Sequence, residues 1–95
     1  MVMVSLHYWA GARTAAGVEA ESIQTTSVAE ALRQAQAARD PRFSRVVQAC
    51  SLLVDGVAAR PSDLDRVLTG PVRVDVLPPF AGGAESRILD ERLII

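Results

Sequence analysis

The sequence has no lysine, a single cysteine and a single histidine, and each scarcity excludes a kind of chemistry. Because all ten basic residues are arginine, the chain has no lysine amine to act through or to be modified. Cys50 alone cannot form an internal disulfide, which fits a reducing compartment. His7 has no second histidine, cysteine or carboxylate at ligand spacing, so no metal site is predicted.

The chain also lacks a strong charge of either sign and any long apolar run. A net charge of −1 gives no bulk attraction to nucleic acid or to an anionic membrane, so neither is an expected partner. No apolar stretch approaches the roughly 20 residues that span a bilayer, and no signal-peptide pattern opens the sequence. We therefore expect a cytoplasmic protein whose 95 residues form one domain.

Hydrophobic periodicity predicts an α+β domain. Apolar and polar residues alternate over residues 2–9 and again through Val72, Val74 and Val76, which indicates a first and a last strand. Ser27 followed by Glu30 is a capping box that begins a helix. The apolar stripe of that helix comprises Val28, Ala31, Leu32 and Ala35. The two most apolar strands are expected to be central in the sheet, which lies across one main helix.

Weaker signals predict the connecting elements. In the first half these are a loop over residues 10–17, a short strand over 21–25, a helix end at Asp40-Pro41 and one helical turn at 43–47. A hairpin of strands 50–54 and 57–59 is predicted about an Asp55-Gly56 turn. A short helical turn at 61–65 follows, with Leu64, Val67 and Leu68 as apolar anchors. The complete prediction is a mixed sheet of four to five strands packed on one main helix.

A thin, extended arm follows the last predicted strand. It reads Leu77-Pro78-Pro79-Phe80-Ala81-Gly82-Gly83. The two prolines fix φ and favour an extended path, and the two glycines have no side chain, so a narrow channel of another protein can close around them. A carboxylate at the tip of such an arm is a handle for enzymes that adenylate and thiolate chain ends.

Three stretches of the sequence resemble the MoaD/ThiS family of ubiquitin-like sulfur carriers. They are the opening His7-Tyr8-Trp9-Ala10-Gly11-Ala12-Arg13-Thr14-Ala15-Ala16-Gly17, the turn Val54-Asp55-Gly56, and the closing run from Val74 to Gly83. The Pro-Pro-x-Ala-Gly-Gly ending resembles the molybdopterin synthase small subunit. The resemblance implies a β-grasp fold and a protein that is not an enzyme on its own.

The same resemblance implies a mechanism and its partners. A ubiquitin-activating-like adenylyltransferase uses ATP to adenylate the carboxylate of Gly83, and sulfur transfer gives a thiocarboxylate. The tail, with Gly82 and Ala81 behind Gly83, then enters the molybdopterin synthase large subunit and donates sulfur to a cyclic pterin precursor. The carrier itself holds no cofactor stably.

Twelve further residues, Ala84 to Ile95, follow Gly83 and leave it without a free carboxylate. The expected organisation is therefore a carrier domain over residues 1–83 and an extension over 84–95, which a metalloprotease would remove on maturation. Two other interpretations stay open. One is a β-grasp binding or regulatory module without carrier chemistry. The other is a ubiquitin-like modifier conjugated through Gly83.

A candidate partner surface lies beside the arm. Trp9 and Leu77 are predicted on the sheet face opposite the main helix, and an aromatic residue is usual at the position of Trp9 in the family. With Phe80 on the arm they form the predicted partner-binding set. The alternative is that the chain's own extension covers this patch.

Overall fold

The computed structural model describes residues 1–79, which form five strands and four helices. In chain order the elements are β1 (Val2–Tyr8), α1 (Ala10–Ala16), β2 (Ala20–Thr25), α2 (Val28–Ala37), α3 (Pro41–Ala49), β3 (Ser51–Val54), β4 (Val57–Ala58), α4 (Pro61–Leu64) and β5 (Val72–Leu77). None of the helices in this part of the chain is long and apolar enough to cross a membrane.

The strands form one mixed sheet in the order β2-β1-β5-β3-β4. β1 lies parallel to β5, with Leu6 opposite Val74, and the other three neighbouring pairs are antiparallel. The first and last strands are therefore adjacent and internal in the sheet, as the sequence predicts. With the main helix packed on one face, this is the β-grasp architecture.

The core lies between the helices and one face of the sheet. Alternate residues of the two internal strands supply that face, and the predicted stripe of α2 packs over it. Its buried side chains are Val4, Leu6, Tyr8, Ala12, Val28, Ala31, Leu32, Ala35, Phe43, Val47, Val74 and Val76. Every member of the α2 stripe is buried, so the helical periodicity identified the correct face.

The helix α2 begins where its capping residues predict. Ser27 Oγ accepts a hydrogen bond from the backbone N–H of Glu30 at 3.1 Å, which satisfies a donor of the first turn. The predicted capping box is formed only in this half, because the Glu30 carboxylate pairs with Arg33 Nη2 at 2.6 Å instead of returning to the N–H of Ser27. The predicted end at Asp40-Pro41 also agrees with the structure, since α2 ends at Ala37.

Residues 10–17 were expected to form a loop, and this expectation is wrong. Residues Ala10–Ala16 form the helix α1, which ends at Gly17 with a φ of 81°, a left-handed conformation that suits glycine. The residue that α1 buries in the core is the small Ala12, so the sequence shows no stripe of large apolar residues that would have indicated a helix. Small residues allow α1 to lie close to α3, so tertiary packing stabilises the helix.

The single helical turn predicted at 43–47 is a nine-residue helix, α3. Asp40 is its N-cap and accepts from the N–H of Arg42 at 2.9 Å, and Pro41 stands at its first position. The Asp40-Pro41 pair thus both follows α2 and begins α3. Of the three anchors predicted near α4, Leu64 and Leu68 pack on the core, whereas Val67 is 73% exposed and is not an anchor.

A polar cluster connects α2 to β2 at one end of the core. Arg39 Nη1 pairs with Glu21 Oε2 at 2.8 Å, and the hydroxyl of Tyr8 donates to the same oxygen. The Arg39 guanidinium also lies 4.8 Å from the ring centre of Phe43. Burial and the hydrogen bond to Glu21 raise the pKa of Tyr8 far above its ordinary value, so the hydroxyl remains a donor.

Candidate functional site: an exposed sheet face at the root of the arm

The sheet face opposite the helices is open in the described part of the chain. Along β1, Val4, Leu6 and Tyr8 are buried on the helix side, whereas the alternating positions Ser5 and His7 remain partly exposed. In the parallel register, His7 lies opposite Asp75 on this open face. The face is therefore a mixture of polar and apolar side chains at the centre of the sheet.

Trp9 stands at the end of β1, beside the last residues of β5. Its backbone N–H donates to the carbonyl of Val76 at 3.2 Å, and its carbonyl accepts from the N–H of Ala12 at 2.9 Å. The indole Nε1–H donates to Asp75 Oδ1 at 2.9 Å, which carries the ring toward the open face. Trp9 is 41% exposed, so the structure places it on the surface where the sequence analysis expects it.

Asp75 is the polar centre of this face. Its Oδ1 accepts from Trp9 and also from Arg73, whose Nη2 and Nε lie at 3.0 and 3.3 Å. Burial alone would raise the pKa of Asp75. The hydrogen bonds from Arg73 and Trp9 and the nearby positive charge outweigh that effect and lower the pKa, so the carboxylate is charged at neutral pH.

Arg13 of α1 covers the other side of Trp9. Its guanidinium carbon lies 5.7 Å from the centre of the indole ring, within the range of a cation–π contact. Its Nε donates to the carbonyl of Tyr8 at 3.4 Å, so two contacts hold the guanidinium group. The sequence analysis placed Arg13 in a loop, and its position in a helix is what brings it over the ring.

The arm leaves the sheet at the carboxyl end of β5. Leu77 is half-buried and pairs with Ser51 of β3, Pro78 is half-buried, and Pro79 is exposed. On the helix side, the two prolines line a cleft of about 410 Å³ together with Arg42 and Arg45 of α3. The root of the arm therefore lies between the Trp9 face and a cleft bordered by two arginines.

The remainder of the predicted site lies outside the described residues. Phe80, Ala81, Gly82 and Gly83 belong to this part of the chain, as does the extension over residues 84–95. Their predicted roles as docking residue, tail and reactive terminus stay predictions. Trp9 and Leu77 are the two predicted site residues whose positions the structure gives.

Neither a metal-binding cluster nor an activated thiol is found among the described residues. Within residues 1–79, no three histidine, cysteine or carboxylate side chains come together in a group that could hold a metal ion. Cys50 caps the end of α3, where its thiol donates to the carbonyl of Val46 at 3.1 Å. Burial raises the pKa of the Cys50 thiol, which disfavours the reactive thiolate.

The sequence analysis missed the contacts that hold Trp9. The alternation of β5 already puts Arg73 and Asp75 on one face, so their pairing could have been found from the sequence. The contact of Asp75 with Trp9 depends on the parallel register of β1 with β5, which the alternation alone does not determine.

A family model described as the ThiS family matches residues 6–83. No curated protein sequence matches the chain at a significant level.

Solved structures with the same fold include three proteins of low sequence identity. The small archaeal modifier protein 1 of Methanosarcina acetivorans has a TM-score of 0.73 and 21% identity over 87% of this chain and 98% of that one. A putative molybdopterin converting factor subunit 1 of Pyrococcus furiosus has a TM-score of 0.68 and 23% identity over 84% and 100%. A complex of subunits 1 and 2 of the molybdopterin-converting factor of Helicobacter pylori gives a TM-score of 0.63 and 18% identity over 85% and 99%. At such identities the likeness shows the fold.

Proposed function

This chain belongs to the ThiS family, and from that premise we propose that it is a sulfur carrier once Gly83 is its C-terminus. The terminal carboxylate is adenylated and then converted to a thiocarboxylate, which donates sulfur in molybdopterin biosynthesis. The chain contributes the reactive terminus and the docking surface, and its partner enzymes contribute the catalysis.

The observation that carries the proposal is the place from which the arm departs. β5 is an internal strand, paired to β1 on one side and β3 on the other, so the root of the arm is rigidly held. Leu77-Pro78-Pro79 leaves from its end, and Gly82-Gly83 follows within a few residues. The family match extends through Gly83 and supports that residue as the terminus of the carrier.

The reaction requires little of the carrier beyond a free carboxylate. A carboxylate oxygen of Gly83 attacks the α-phosphorus of ATP, and pyrophosphate leaves. A sulfur nucleophile then attacks the acyl carbon, and AMP leaves. No general base is required from this chain.

The partners follow from the same surface. We assign Trp9 and Leu77, with Phe80 on the arm, to docking on an adenylyltransferase related to ubiquitin-activating enzymes and on the molybdopterin synthase large subunit. The Helicobacter pylori complex of subunits 1 and 2 supports a large-subunit partner for a chain of this fold. An ATP-dependent activation places the process in the cytoplasm, and a metalloprotease is the proposed agent that removes residues 84–95.

The test is ATP–pyrophosphate exchange with the adenylyltransferase of the same organism. Three chains are compared, ending at Ile95, at Ala84 and at Gly83. We expect exchange with the Gly83 chain alone, because a peptide bond or an added methyl group at this point removes or displaces the carboxylate. Equal exchange with all three chains would show that Gly83 is not the acceptor.

A ubiquitin-like modifier is the second candidate. It is favoured by the similarity to a small archaeal modifier protein, and it uses the same activated Gly83 carboxylate. The two functions differ in the group that receives the activated Gly83 carboxyl, because a modifier forms amide bonds with lysines of other proteins. A Gly83-terminated chain found in covalent adducts in cell extracts would select this function over sulfur transfer.

A further inference from the structure

Trp9 is exposed, yet the structure leaves its side chain little freedom. Its backbone N–H donates to the carbonyl of Val76, and its carbonyl accepts from the N–H of Ala12. With the backbone held in this way, the remaining freedom of Trp9 is rotation of its side chain. The hydrogen bond from Nε1–H to Asp75 at 2.9 Å and the cation–π contact with Arg13 restrict that rotation. An aromatic ring held before docking loses less conformational entropy on binding than a mobile one.

Asp75 differs from Trp9 in how much of it a partner could touch. Its side chain is only 14% exposed, and its Oδ1 already accepts from Arg73 as well as from Trp9. A docking protein would therefore meet the exposed ring first and reach little of the carboxylate. Any effect of Asp75 on docking must be transmitted largely through the orientation of Trp9.

We infer that Asp75 is a positioning residue, which holds the Trp9 indole as a pre-oriented anchor for the adenylyltransferase that receives the arm. Arg73 donates to the same oxygen of Asp75, at 3.0 Å, and so helps to keep the carboxylate in place. The inference rests on the proposed function for the identity of the partner, and on the contacts of residues 1–79 for the positioning itself.

The positioning can be measured without any partner. Trp9 is the chain's only tryptophan, so a ¹⁵N-labelled sample gives one indole N–H signal and one source of tryptophan fluorescence. We expect Asp75→Ala to lower the heteronuclear NOE of that signal and to speed its exchange with solvent. Asp65→Ala, which removes an exposed carboxylate from the end of α4, is the matched control and should leave both unchanged.

A conservative variant separates positioning from a loss of folding. Asn retains an oxygen that accepts the indole hydrogen bond, so Asp75→Asn should keep the indole ordered while Asp75→Ala releases it. An indole as ordered in Asp75→Ala as in the wild-type chain would overturn the inference.

The consequence for docking is measured with Gly83-terminated chains in ATP–pyrophosphate exchange. We expect Asp75→Ala to raise the KM for the carrier by roughly fivefold, with kcat within about twofold of wild type. Trp9→Phe keeps an aromatic ring and removes the N–H. In the Trp9→Phe background, Asp75→Ala should therefore change KM little, because the contact is already absent.

The two proposals fail in different ways. A wild-type chain that is not adenylated contradicts the proposed function, and the indole measurement still decides whether Asp75 holds Trp9. Adenylation of Asp75→Ala with the wild-type KM overturns the docking role of Asp75 and leaves the sulfur-carrier function intact. Additive effects of Asp75→Ala and Trp9→Phe on KM would likewise overturn it.

Discussion

Arg39 and Arg33 each pair with a glutamate, but their surroundings are opposite. The Arg39 side chain is 15% exposed, and besides Glu21 it donates to the carbonyls of Ala16 and Ala35 at 3.0 and 2.9 Å. It thus joins the ends of two helices to β2. The Arg33 side chain is 63% exposed, and its ion pair with Glu30 lies at the surface. Burial, rather than the number of ion pairs, decides which arginine matters for stability.

We predict that Arg39→Ala lowers the free energy of unfolding by about 2–4 kcal/mol, because the partly buried Glu21 carboxylate loses its cation and two carbonyls lose the Arg39 donor. Arg33→Ala is the matched control and should move the urea midpoint very little. The measurement is urea unfolding followed by circular dichroism. A similar shift for both variants would contradict the assignment of Arg39 to the core.

Asp75 should make the stability depend on pH in the acid range. Its pKa is lowered in the folded protein, so the charged form stabilises the fold above the unfolded-state value, near pH 4, and this contribution is lost as the pH falls through the folded pKa. In urea unfolding, wild type should be more stable than Asp75→Asn at pH 6, and the gap should close at acid pH. A stability difference that widens on acidification would contradict the stabilisation of the charged Asp75 by Arg73 and Trp9.

Single residues show where sequence reasoning succeeds and where it stops. Trp9 was found because the alternation of β1 assigns it to the outer face. The hydrogen bond from Trp9 to Asp75 could not be predicted in the same way. It joins residues 66 positions apart, and the register that brings them together is defined only in the folded sheet. The reactive terminus at Gly83 remains a prediction from the sequence.

Among the helices, α2 makes the largest predictable contribution to the core. Leu32 is buried under the sheet, and we expect Leu32→Ala to cost about 2–5 kcal/mol through lost apolar contacts and the cavity that remains. Val67→Ala is the control, since Val67 is exposed. Thermal and urea unfolding of both variants test this, and a loss of under about 1 kcal/mol for Leu32→Ala would place α2 elsewhere.

The elements differ in how strongly the sequence signals them. α2 has a capping serine and a regular apolar stripe, and both were read correctly. α1 has neither a capping hydrogen bond from a side chain nor large apolar residues, and it is a helix because Ala12 fits closely in the core. Only the end of α1 carried a usable signal, the glycine at position 17.

The molecule as a whole combines a rigid sheet with an arm that continues from its centre. The parallel pairing of β1 and β5 brings Trp9 beside the root of the arm, although the two are far apart in the sequence. The same fold appears in proteins of 18–23% identity, so the architecture tolerates extensive substitution. Conversion of Gly83 into a free terminus is the central claim about function.

The intact mass of the chain recovered from its native host tests that claim most directly. A copy tagged at the N-terminus is purified from cells without acidic, basic or oxidising treatment, which would destroy a thiocarboxylate, and its mass is compared with that of the translated sequence. The account predicts a chain that ends at Gly83, part of which carries the mass gain of one sulfur-for-oxygen exchange. A population that ends entirely at Ile95, with no such exchange, would contradict the sulfur-carrier function.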